Sequence, residues 1–164
     1  MRTYEKHGFG PVYDQNSTIL ILGSFPSVKS RQQEFYYGHP QNRFWKVLAA
    51  LTGSEVPSDI AQRKVWLLAH HIALYDVIEA CEIEGSSDSS IRNVTPAHID
   101  RIVADSGITR IFTNGKTAAK LYKKYQADSC PLPMMELPST SPANAAYSLE
   151  RLVAIWGQII GYIE

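Results

Sequence analysis

The sequence predicts an α/β fold: a three-layer α/β/α sandwich around a short, mainly parallel, four-stranded sheet. Three observations carry this. Four short apolar runs, TILILG (18–23), IALYDVI (72–78), TRIFTNG (109–115) and PMMELPS (133–139), have the length and composition of buried strands. Between and after them lie segments whose apolar residues recur at helical spacing. Strands that alternate with helices pair in parallel and are covered on both faces.

The elements follow in order. TILILG is β-branched and closed by Gly23. NRFWKVLAALTG places Phe44, Val47, Leu48 and Leu51 on one helical face, with Gly53 as the stop. Ser58 is placed to cap a second helix through DIAQRKVWLLAHH, and IALYDVI is the second strand. The stretch EACEIEGSSDSSIRNV (79–94), rich in Ser and Asp, reads as a loop. Thr95-Pro96 opens a further helix with Ile99, Ile102 and Val103 inward and Gly107 as its end. TRIFTNG is the third strand, KTAAKLYKKY its helix, and PMMELPS the fourth strand. Leu149, Leu152, Val153, Trp156, Ile159, Ile160 and Ile163 form the apolar stripe of a last helix.

A chain of 164 residues fits one domain, 1–164, with a core of its own. Its polar N-terminus reads as free of a signal peptide, and no apolar run could span a bilayer. Cys81 and Cys130 stand alone, with no C-x-x-C pair for a cluster or zinc, which suits a reducing cytoplasm. Sixteen basic residues balance sixteen acidic ones, so any attraction to nucleic acid must come from a local patch. The five histidines show no metal-binding spacing, and no cofactor is expected.

In a parallel α/β sheet, ligands sit beyond the carboxyl ends of the strands. That rule selects four loops: GSFPS, the YD of IALYDVI, NGKT and STSPAN. GSFPS lacks the glycine-flanked central Ser of a nucleophile elbow, because Phe25 stands there. NGKT mimics the tail of a P-loop, but the first Gly would fall at Arg110, inside a strand. What remains there is Gly115-Lys116 opening a helix, which is either a phosphate contact or a plain turn. Asp76 suits a buried polar anchor or a helix cap. LYKKY alternates aromatic and basic residues, as a solvated helix face also does. YYGHPQNRFW (36–45) puts two tyrosines and an amide before an apolar helix. Asn42 can cap that helix; equally, an amide beside a stacking ring makes a pocket for a flat base.

Together these motifs resemble the uracil-DNA glycosylase superfamily, over nearly the whole chain and in the same order. GHPQNRFWKVL is similar to the HPxNRFWKV segment of the mismatch-specific (G:T/U) uracil-DNA glycosylases. That group carries G-I-N-P-G first and N-P-S-G last; here Gly23-Ser24-Phe25-Pro26-Ser27 and Ser139-Thr140-Ser141-Pro142-Ala143-Asn144 stand instead. GSFPS, YYGHPQNRFW and PSTSPAN together resemble the hypoxanthine-DNA (deoxyinosine) glycosylase branch. The resemblance implies that Asn42 takes the catalytic role lost where Phe25 replaces an Asn. It implies that Tyr37 stacks on the flipped base and that Ser24, Phe25 and Asp76 line its pocket. Ser27, Gly115, Lys116, Ser139, Thr140, Ser141 and Asn144 would meet the DNA. Ala143 stands where relatives carry an apolar wedge, and it is small.

The expected function is therefore a monofunctional DNA-repair glycosylase acting on damaged DNA. It would excise hypoxanthine first, with uracil and xanthine as the other deaminated bases, as a monomer with no membrane partner. The alternative is a non-catalytic domain that binds a nucleotide or single-stranded nucleic acid on the same scaffold.

Overall fold

The structure is a computed structural model that describes residues 1–163. Seven strands and six helices follow one another in it. They are β1 (Thr3–Lys6), β2 (Ile19–Gly23), α1 (Val28–Gln33), α2 (Phe44–Thr52), α3 (Ile60–Ala69) and β3 (Ile72–Asp76). Then come β4 (Ile78–Ile83), β5 (Arg92–Pro96), α4 (Ile99–Ala104), β6 (Arg110–Asn114), α5 (Lys116–Tyr125), β7 (Met134–Leu137) and α6 (Leu149–Trp156). The sheet has the order β3-β2-β6-β7, parallel throughout. It is the core of the α/β/α sandwich that the alternation of elements predicts. The fully apolar β2 lies between β3 and β6, and Ile19 to Leu22 are wholly buried, as a central parallel strand requires. α2 packs on α6, α3 on β3, and α5 on β6 and β7.

A second sheet, with β4 between β1 and β5 and both pairings antiparallel, was not expected. The run 72–78 is two strands, because the chain turns out of the parallel sheet after Asp76. Val77 N–H is claimed by Gly23 O, and Ile78 begins β4. Most of β4 and all of Arg92–Val94 fall in the stretch read as a loop. There, glutamates interleave with Ala80, Cys81 and Ile83, so a half-buried strand looks polar. Thr95 and Pro96 close β5 rather than opening α4, whose cap position is His98. Asp59, not Ser58, caps α3 by accepting Gln62 N–H at 3.1 Å. α6 ends at Trp156, and a 3-10 turn, Gly157–Tyr162, continues the apolar stripe to Ile163.

Candidate active site

The carboxyl ends of β2, β3, β6 and β7 open into one cavity of about 540 Å³, a volume suited to a single base or nucleoside. The sheet order sets its plan: Asp76 ends β3, Gly23 ends β2, Asn114 ends β6, and Ser139-Thr140 follow β7. The YYGHPQN segment lies against this edge and delivers Tyr37 and Asn42 to the cavity wall.

Asn42 is held by a chain of hydrogen bonds whose direction is determined. Thr140 N–H needs an acceptor and finds Asn114 Oδ1 at 3.0 Å, so Asn114 Nδ2 donates to Thr140 Oγ1 at 3.0 Å. The Thr140 hydroxyl therefore points its hydrogen to Asn42 Oδ1, at 2.8 Å. Phe44 N–H, at the first turn of α2, donates to the same oxygen at 2.9 Å. Both lone pairs of that oxygen are used, and the Asn42 NH2 group is the part of the amide left to donate. The N-cap position of α2 is Arg43, not Asn42; Asn42 stands one residue earlier and receives Phe44 N–H from the first turn, so helix entry and candidate catalyst share one side chain.

Tyr37 sits at φ +52, a left-handed conformation that non-glycine residues rarely adopt. One ring face lies on Phe44, with centroids 4.0 Å apart and 24° between planes. Its hydroxyl is buried and lacks a hydrogen-bond partner. Burial first, then the charge of Asp76, raises its pKa well above the ordinary phenol value, with Asn114 pulling the other way. Burial likewise raises the Tyr36 hydroxyl, which donates to Gly10 O at 2.9 Å. Both rings stay neutral phenols.

Asp76 is 3% exposed and is a buried anchor, not a helix cap: no helix follows it. Its Oδ2 lies 2.7 Å from Nε2 of His7, and His7 Nδ1 lies 2.7 Å from Phe9 O. A carbonyl only accepts, so Nδ1 carries a hydrogen, and the Nε2 contact with Asp76 needs one more proton held by either partner. His7 sits just after β1, and nothing in its flanking sequence marks it; only tertiary structure reveals the pair. Gly23 leaves room for it. A Cβ there would stand 2.4 Å from Asp76 Oδ1 and 3.1 Å from Tyr37 Oη.

Of the expected site residues, Asn42, Ser24, Phe25, Tyr37, Asp76, Ser27, Ser139, Thr140 and Ser141 meet at the cavity. Gly115, Lys116 and Asn144 lie outside its lining. Gly115 has φ +99 and caps α5, with Lys116 exposed beside it. The Asn144 amide is spent inside its own loop, donating to Ser139 O at 3.0 Å. Thr140, expected to meet the DNA, is an internal link instead: it is fully buried, and its hydroxyl and N–H serve Asn42 and Asn114. Sequence reasoning missed His7, Asn114, Arg43 and the Ser86–Ser89 turn, which forms one lip of the cavity. Arg43 clamps the 139–147 loop, donating to the carbonyls of Ser141 (2.9 Å), Asn144 (3.1 Å) and Tyr147.

Asp88, in that turn, accepts a hydrogen bond from the Ser24 hydroxyl at 2.9 Å. Burial raises its pKa, the Ser24 and Thr117 hydroxyls lower it, and the charge of Asp76 raises it further; the net direction is up.

Residues 11–159 match the family model of the Uracil DNA glycosylase superfamily. Two curated relatives, each named Hypoxanthine DNA glycosylase, come from Methanosarcina barkeri and Methanosarcina acetivorans. They are 41% and 42% identical over 90 and 87 residues. Those matches cover 54% and 52% of this chain and 57% and 55% of the relatives, so the chain spans about half the length of the curated relatives it matches. The solution structure of a candidate uracil DNA glycosylase from Methanosarcina acetivorans superimposes with a TM-score of 0.84 at 29% identity. That match covers 98% of this chain and 99% of the other. With the family matched over nearly its whole length and the fold matched end to end, the chain belongs to the uracil DNA glycosylase superfamily.

Proposed function

We propose that this chain is a monofunctional DNA glycosylase that flips deaminated bases out of DNA and hydrolyses their N-glycosidic bond, with hypoxanthine as the first substrate. The observation that carries the reading is the oriented amide of Asn42, its oxygen saturated and its NH2 free at a base-sized cavity. Breaking the bond builds negative charge on the departing base and positive charge on the sugar. A donor fixed beforehand stabilises the first without reorganising during the reaction. The base must leave the stack to arrive there, which costs a few kcal/mol and least at a mismatched lesion. Tyr37, backed by Phe44, offers a ring against which a flipped base can stack.

The relatives named Hypoxanthine DNA glycosylase support hypoxanthine over other lesions. Ser27, Ser139, Ser141 and the exposed Lys116 are the proposed contacts to DNA. The reading includes one domain acting as a monomer in the cytoplasm. Two free buried thiols suit that compartment, and no helix among the described residues is long and apolar enough to cross a membrane.

A duplex containing one deoxyinosine tests the proposal. Incubation should leave an alkali-labile abasic site, with no strand cut before alkali and no borohydride-trapped adduct. A band shift without any abasic product would instead favour a non-catalytic binding domain.

A further inference from the structure

We propose that Asp88 is the catalytic carboxylate of this cavity: it holds the attacking water and takes its proton. The inference rests on the glycosylase reading above and adds the base that reading lacks. An amide cannot remove a proton from water, so Asn42 leaves that half of the chemistry unassigned.

The other titratable groups in the cavity are each disqualified by an observed contact or by burial. Tyr36 and Tyr37 are held as neutral phenols by burial. Asp76 is 3% exposed and committed to His7 at 2.7 Å. His39 has its Nδ1 lone pair taken by Gln41 N–H at 3.1 Å, so its neutral ring has no second lone pair to offer. Asp88 is the remaining carboxylate of the cavity: it is reachable by solvent at the 86–89 turn, yet packed closely enough by protein to be partly desolvated. The Ser24 hydroxyl fixes its Oδ1 at 2.9 Å, and Ser24 is followed directly by Phe25, the apolar residue at the centre of the first motif. A carboxylate offers about four acceptor sites, so the Ser24 donor still leaves it room for a water. The raised pKa, caused first by burial and opposed by Ser24 and Thr117, moves the group toward the working range of a general base.

The step balances. Water oxygen bonds to C1′ as the C1′–N bond breaks, and the bonding pair leaves with the base. One water proton passes to Asp88 and then to solvent. The departing base takes one proton back from solvent, so no net proton is released, and the products are an abasic deoxyribose and the free base.

Asp88→Asn tests this, because the amide oxygen still accepts from Ser24 and the exposed position spares the core. Single turnover on a deoxyinosine duplex should slow by about 10²-fold or more, the range for loss of a general base. The acid limb of the rate profile should vanish. Binding to a duplex carrying a tetrahydrofuran abasic analogue should persist, and Asp88→Glu should recover part of the rate. An Asp88→Asn variant at wild-type rate, beside an Asp88→Ala variant that is slow, would make Asp88 only an acceptor for Ser24 and overturn the proposal. A wild-type protein that leaves no abasic site at any deaminated base would defeat the glycosylase reading itself, and Asp88 with it.

Discussion

The Thr140 hydroxyl and the Asn42 side-chain oxygen, 98 residues apart in the chain, meet at 2.8 Å, and that bond fixes which end of the amide faces the cavity. Two backbone N–H groups set the whole chain: Thr140 N–H orients Asn114, and Phe44 N–H orients Asn42. A flipped Asn42 would put NH2 against the Phe44 N–H and the Thr140 hydroxyl, donor against donor.

This makes Asn42→Asp the informative variant. Its carboxylate keeps both accepted bonds, including the one from Phe44 N–H in the first turn of α2, so the protein should fold with little change in stability. It has lost the donor. Single-turnover excision should therefore fall by about 10²–10³, the size of a lost transition-state donor, and as far as in Asn42→Ala. Asn42→Ala should in addition lose roughly 1 kcal/mol of stability or more, because Phe44 N–H and the Thr140 hydroxyl lose their acceptor. An Asp variant with near-normal rate would mean that the oxygen side of the amide does the chemistry, against the arrangement seen here.

Gly23 supplies a test of the buried pair. The Cβ of Gly23→Ala would press on Asp76 Oδ1 at 2.4 Å, and Asp76 cannot swing away without breaking its contact with His7. Overpacking of this kind costs about 1–3 kcal/mol, to be read from urea unfolding. Gly161→Ala, where a Cβ meets nothing within 4 Å, is the control and should change stability little. Equal stability of the two variants would show that the Asp76 side chain yields freely and that the pair is not rigid.

Much of this structure is legible in the sequence, for reasons that residues such as Leu20 and Phe44 make plain. Both are wholly buried, and both sit in runs whose apolar spacing states the element outright. β4 is illegible because Glu79 and Glu82 interrupt it, leaving only the small Ala80 and Cys81 between them, so its buried positions hardly lift the apolar signal. At the site, motif order brought Asn42, Tyr37, Ser24 and Thr140 to one cavity. The roles inside it depend on pairings across long separations, Asn42 with Thr140 and His7 with Asp76, and no local pattern encodes those. Asp88 stayed hidden for a related reason: SSDSS has the composition of any turn, and its place over Ser24 follows from the antiparallel sheet that was itself missed.

Arg43 is the remaining residue whose neighbours predict a specific failure. Its backbone N–H donates to Thr140 O at 3.1 Å, and its guanidinium reaches three further carbonyls of the same loop. Thr140 is the link that orients Asn42, so the clamp at the start of α2 also holds the loop that sets the amide. The planar fork of Arg serves several carbonyls at once, whereas a lysine ammonium is a compact point charge on a flexible stem. Arg43→Lys should therefore fail to rescue the loop despite keeping the charge. A hydrogen bond to a charged group contributes roughly 1.5–3 kcal/mol, so Arg43→Ala should destabilise by at least that much. Hydrogen exchange at Asn144 and Tyr147, whose N–H groups bond within the loop, should quicken in both variants. Excision should slow in both as Thr140 loses its fixed position. If Arg43→Lys instead shows wild-type protection at those amides, charge alone holds the loop, and the fork geometry is not what positions Asn42.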